Sequence, residues 1–161
     1  AKLARAALVY TPQVLLQGQD FRAWRSSSFE SAVAKINARP AKARISLSLD
    51  TGSKDAFMVE AMAELLDAPQ STDIAFYLGA YENKLVSEVR AGENRGQSLP
   101  HDYVVLQWVG PLEFKGGKLA ERHLLPLLPK AVPGHSGVAA FVQNRATSEI
   151  LQALMLAACP G

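Results

Sequence analysis

Hydrophobic and polar positions along the chain change period more than once. Residues Ala6 to Leu16 read as an extended apolar segment interrupted by Pro12. A proline removes a ladder donor from a central strand. The Thr11–Pro12 bond is therefore a candidate for the cis form, which is nearly confined to X–Pro bonds. Gln17-Gly18 follows as a hairpin turn, the glycine supplying positive φ. A helix comes next. Ser27 and Glu30 have the spacing of a capping box. Phe29, Ala32, Val33 and Ile36 recur at helical spacing, and Arg39-Pro40 ends the run.

From Ala43 the period falls to two. Ile45, Leu47 and Leu49 alternate with Arg44, Ser46 and Ser48, as in a half-buried strand. Thr51 to Asp55 is a polar turn, and Phe57 to Leu65 is read as a second strand. Asp73 to Ala80 and Lys84 to Ala91 read as a hairpin around Tyr81-Glu82-Asn83, and Gly92 to Pro100 as a polar loop. Asp102 to Val109 is rich in β-branched and aromatic residues, which favour strands. Pro111 and Gly116-Gly117 mark the next loop, and Leu119 to Leu128 a further strand. Gly137 to Gln143 and Ile150 to Ala157 close the chain as a hairpin around Asn144 to Ser148. About eight short strands with regular turn signals predict an antiparallel β-sandwich.

Composition narrows the function classes. The 161 residues are 48% hydrophobic and 20% charged, a globular balance. Seventeen basic against fifteen acidic residues leave a net charge of +2. No basic stripe emerges, so nucleic acid is not an expected partner. No apolar run reaches the roughly 20 residues of a bilayer span. Cys159 is the only cysteine, which excludes an internal disulfide or a CxxC pair. It remains an idle thiol, half of a bridge to another chain, or a reactive thiol.

The three histidines, His101, His123 and His135, lie in no recognised metal spacing. His101 and Asp102 are adjacent. They are read either as a metal or acid–base pair, with His135 as a third member, or as loop residues satisfying backbone groups. Ser136 in Gly134-His135-Ser136-Gly137 does not match a nucleophile elbow. Trp108 reads as core and Trp24 as a loop residue packed on the domain or on a partner.

Three segments in order resemble a known family. The first is Tyr10-Thr11-Pro12-Gln13-Val14, followed by Gly18 and the capped helix. The second is Gly92-Glu93-Asn94-Arg95-Gly96-Gln97-Ser98-Leu99-Pro100-His101-Asp102-Tyr103-Val104-Val105, and the third runs from Val138 to Leu151. Together they are similar to an uncharacterised secreted or periplasmic bacterial family, the domain-of-unknown-function family twelve-twenty-three.

That resemblance implies a thioredoxin-like N-terminal domain with a CxxC-type motif, followed by a β-sandwich-like domain. The cysteine-bearing segment is absent from this sequence. The expectation is therefore an α+β, mainly β chain. Residues 1–40 would be the C-terminal part of a thioredoxin-like domain and residues 41–161 a β-sandwich. Its role would be accessory or binding, in the periplasm or secreted, with no cofactor and no catalysis by this chain alone. Its partner would be the missing N-terminal half or another chain. Tyr10, Thr11 and Pro12 would help hold an extended substrate, and Cys159 would be available for an intermolecular disulfide. Two alternatives stay open: a fragment of a thiol-disulfide oxidoreductase, and a metal-binding sandwich.

Overall fold

A computed structural model describes residues 12–52, 55–66, 73–129 and 131–158. Among them are eleven strands, one α-helix and one 3-10 turn. The first strands, β1 (Leu15–Leu16) and β2 (Gln19–Asp20), form a minimal antiparallel hairpin. Gly18 takes positive φ at its turn, as the sequence predicts, and Gln17 does so as well. Helix α1 (Ser27–Asn37) follows, but its cap is Ser26, not Ser27. The Ser26 hydroxyl donates to the Ala23 carbonyl and lies 2.6 Å from the Ser28 hydroxyl, so the expected box is not formed. The predicted stripe Phe29, Ala32, Val33 and Ile36 is only half-buried.

Two antiparallel sheets make the body. One contains β3 (Ala43–Asp50), β4 (Ala56–Leu65) and β9 (Lys118–Pro126), with β4 in the centre. The other has the order β11-β10-β5-β8: β11 (Ile150–Ala157), β10 (Ser136–Asn144), β5 (Ile74–Glu82) and β8 (Val104–Glu113). Alternate residues of each sheet meet in one core. Phe57, Val59, Ala61 and Ala63 come from β4, Phe76, Leu78 and Ala80 from β5, and Val138, Ala140 and Val142 from β10. This period-two burial is what an antiparallel sheet covered on one face requires.

The sheets are joined at both sides. Lys42 donates its backbone N–H to the Leu151 carbonyl, linking the approach to β3 with β11. On the other side β8 runs into β9 through a tight turn at Gly116-Gly117, both at positive φ.

Three predicted features are corrected. Tyr81 and Glu82 are not in a turn: β5 runs to Glu82 and pairs with β8 and β10. Instead, β6 (Leu85–Glu88) pairs with β7 (Ser98–His101) in a separate two-stranded arm. The predicted Gly92–Pro100 loop thus ends in a strand, and Pro100 sits where no neighbouring sheet demands its missing N–H. Finally, β8 continues through a cis Gly110–Pro111 bond to Glu113, so Pro111 lies within a strand.

Candidate functional site

The residues singled out in the sequence fall in different places. Tyr10, Thr11 and Cys159 lie outside the described residues, as does the geometry of the Thr11–Pro12 bond. Pro12 is exposed in a bend. His101, Asp102 and His135 all come to one corner, where the chain leaves β5 for the arm and returns to β8. There the Lys84 N–H donates to Asp102 Oδ1 at 2.9 Å, and the Tyr103 N–H donates to Asn83 Oδ1 at 2.8 Å. Each turn thus supplies the acceptor for the other. Such side-chain to backbone bonds are what Asn and Asp favour in turns. Lys84 and Tyr103 hold positive φ, of 59° and 55°.

Lys84 Nζ also lies 3.3 Å from His135 Nε2, and the Asn83 N–H donates to the His135 carbonyl. His101 sits opposite Leu85 at the end of β7. Among the described residues, no three or more His, Cys, Asp or Glu side chains are placed to share a metal ion. Asp102 and His135 make hydrogen bonds that tie the two turns of this corner to each other and to the start of β10. Beneath it, Glu82 is 4% exposed at the end of the core. Its Oε1 accepts the Val132 N–H at 3.2 Å, while Oε2 has no partner among the described residues.

A second feature was not foreseen. The outer face of the four-stranded sheet is aromatic and uncharged over its central rows. Register places Trp108, Gly79, Ala139 and Met155 in one row across the strands, and Val105, Tyr81, Gly137 and Ala157 in the next. Tyr77, Phe141 and Ala153 form the row on the other side. Tyr77 and Phe141 stack at 5.0 Å between centroids, and Trp108 lies 5.4 Å from Tyr77 and 5.6 Å from Phe141. Tyr81 and Tyr103 form a second pair at 5.5 Å.

Trp108 is not core, contrary to the sequence expectation. It is 53% exposed, with Tyr103 at 64%, Val105 at 58% and Met155 at 51%. Trp24 is half-buried, with the Arg25 guanidinium 4.6 Å from its ring centre. Glycines make room for the rings of the aromatic face. A Cβ on Gly79 would stand 3.5 Å from the Trp108 ring, and one on Gly110 2.8 Å from Tyr77. Burial holds the Tyr81 phenol above its ordinary 10.0, and the neighbouring Tyr103 raises it further.

The outer face of the three-stranded sheet is the opposite in character. Cross-strand neighbours Arg44 and Glu64 pair at 3.1 Å, Lys118 and Glu64 at 3.5 Å, and Arg122 and Glu60 at 3.7 Å. That is an ordinary solvated sheet face. An exposed apolar patch built from Trp, Tyr, Val and Met marks an interaction surface.

Fold and surface together define a two-layer antiparallel β protein with an asymmetric pair of outer faces. The chain belongs to the family described as "Protein of unknown function (DUF1223)", whose model matches residues 1–143. The match starts at residue 1 and gives no support of its own to the chain being only the C-terminal part of a family member. No curated protein is significantly similar. Among solved structures, HBP35 of Porphyromonas gingivalis is similar with a TM-score of 0.61 and 14% identity. The likeness covers 80% of this chain and 44% of that one, so the chain spans less than half the length of HBP35. A domain of the outer membrane lipoprotein Omp28 from the same organism gives 0.54 and 14%, over 76% of this chain and 92% of that domain. At such identity the likeness is one of fold.

Proposed function

We propose that this chain is a binding module, the accessory β portion of a thioredoxin-like protein of the bacterial envelope, and that it binds through the outer face of the β8–β5–β10–β11 sheet. The observation that carries the binding reading is the exposure of Trp108, Tyr103, Val105 and Met155 on one face without a charged neighbour in its central rows. Trp and Tyr are the residues that most often anchor interfaces. The order of the β1–β2 hairpin and α1 supports the thioredoxin-like part of the reading. So does the half-buried apolar stripe of α1, which leaves room for a preceding element. The Omp28 domain, an outer membrane lipoprotein domain by its title, supports the envelope location. In this reading any thiol chemistry belongs to cysteines elsewhere in the protein, and the chain contributes surface.

The test is a photo-crosslinking amino acid placed in the full native protein, in its own host, at Trp108 or at Ser48. Ser48 is exposed on β3. A discrete product from position 108 and none from position 48 is expected. Equal labelling from both positions, or none from either, would overturn the reading.

A further inference from the structure

We infer that the partner on the aromatic face is the same face of a second copy of this chain, related by a two-fold axis. The inference rests on the binding reading above and names its occupant.

Charge is the first argument. Burying an unpaired charge is costly, so an uncharged face is best covered by another uncharged face. The outer face of the three-stranded sheet carries Arg44, Glu60, Glu64, Lys118 and Arg122 and cannot serve. The β8–β5–β10–β11 face can, and a two-fold axis brings it onto itself.

Size is the second. Four strands about 4.8 Å apart, over the seven residues Ala75–Tyr81 at about 3.3 Å each, span roughly 19 by 23 Å. Two such faces together bury on the order of 1,000 Å², the lower bound for a specific interface. The expected product is thus a reversible dimer, not an obligate one.

Sedimentation velocity on the full chain, from about 1 µM to about 300 µM, reads the equilibrium directly, since that span brackets micromolar dissociation constants. A concentration-dependent shift from monomer to dimer is expected. Val105→Lys, which places a charge on the face, should weaken association at least tenfold, and Trp108→Ala should do the same. Ser48→Lys, on the other sheet, should leave it unchanged. Near-ultraviolet circular dichroism checks that each variant is folded, and Val105→Lys serves if Trp108→Ala is not.

A monomer at every concentration, or association that survives both face variants, overturns the inference. The crosslinking product from position 108 separates the two readings. Twice the mass of the protein supports the second copy. A product with a different protein keeps the binding reading and overturns this one. No product sinks both.

Discussion

Tyr81 on β5 lies across Gly137 on β10, its register neighbour: a Cβ on the glycine would stand 2.5 Å from the phenolic oxygen and 2.7 Å from the Leu156 carbonyl oxygen. The glycine is there because the ring occupies the place of its side chain. Gly137→Ala should therefore destabilise the domain by about 1–3 kcal/mol, the usual cost of forcing atoms into filled space. Adding Tyr81→Phe removes one of the close contacts but not the carbonyl, so it should restore only part of the loss. Urea denaturation of the wild type and the two variants measures this. A neutral Gly137→Ala would show that the ring does not sit where the structure places it.

The two sheets predict opposite sensitivities. Leu78 is fully buried in the centre of β5, a strand buried on both faces. Leu78→Ala should cost about 2–5 kcal/mol. Glu60 pairs with Arg122 on an exposed face at 3.7 Å, and Glu60→Ala should cost less than about 1 kcal/mol. Thermal or chemical unfolding of the two variants compares them. Similar costs would contradict the assignment of inside and outside.

The same burial explains what could be read in the sequence and what could not. β3 was legible because one of its faces is wet: Ile45, Leu47 and Leu49 alternate with polar residues. β5 has no wet face, so Ile74 to Glu82 shows no alternation, and Tyr81-Glu82-Asn83 looked like a turn. A turn is present, but it sends the chain into the arm instead of back along β5. His101, Asp102 and His135 were legible as neighbours of one corner. The sequence also offers a structural use for Asp102, the satisfying of loop backbone donors, and the Lys84 N–H, at a residue of positive φ, is such a donor. Trp108 was misread because strand propensity does not distinguish the core face from an exposed one. The usable signal was Gly79, Gly110 and Gly137, glycines inside strands, which mark a close approach by another group.

Tyr81 gives a pH dependence whose sign is fixed. Its phenol is held above 10.0 in the folded chain, first by burial and then by Tyr103. The folded state thus keeps this proton more tightly than the unfolded chain does. The contribution to stability is complete below 10.0 and is lost as pH rises through the folded value. Tyr103→Phe removes the second cause and leaves the first, so the Tyr81 midpoint should fall but stay above 10.0. Carbon-13 NMR of the tyrosine ring carbons follows each phenol separately. A wild-type Tyr81 midpoint at or below the ordinary value would contradict the packing of the two rings.

The final prediction concerns the arm. Asp102 Oδ1 and Asn83 Oδ1 each accept a backbone N–H from the opposite turn, at 2.9 and 2.8 Å. These bonds hold the two chain segments together where β5 and β8 give way to β6 and β7. Both residues are near the surface, so removing one bond should cost only about 1 kcal/mol. The effect should instead be local. In Asp102→Ala, the amides of Leu85–Glu88 and Ser98–His101 should exchange with deuterium markedly faster, while those of β4, β5 and β10 keep their protection. Local opening without global unfolding is how a small cooperative unit behaves. Asp102→Asn retains an oxygen acceptor and should restore most of the protection, which separates the hydrogen bond from the charge. Uniformly faster exchange across both sheets would mean that the corner belongs to the cooperative core; unchanged exchange in the arm would mean that the Lys84–Asp102 bond does not hold it.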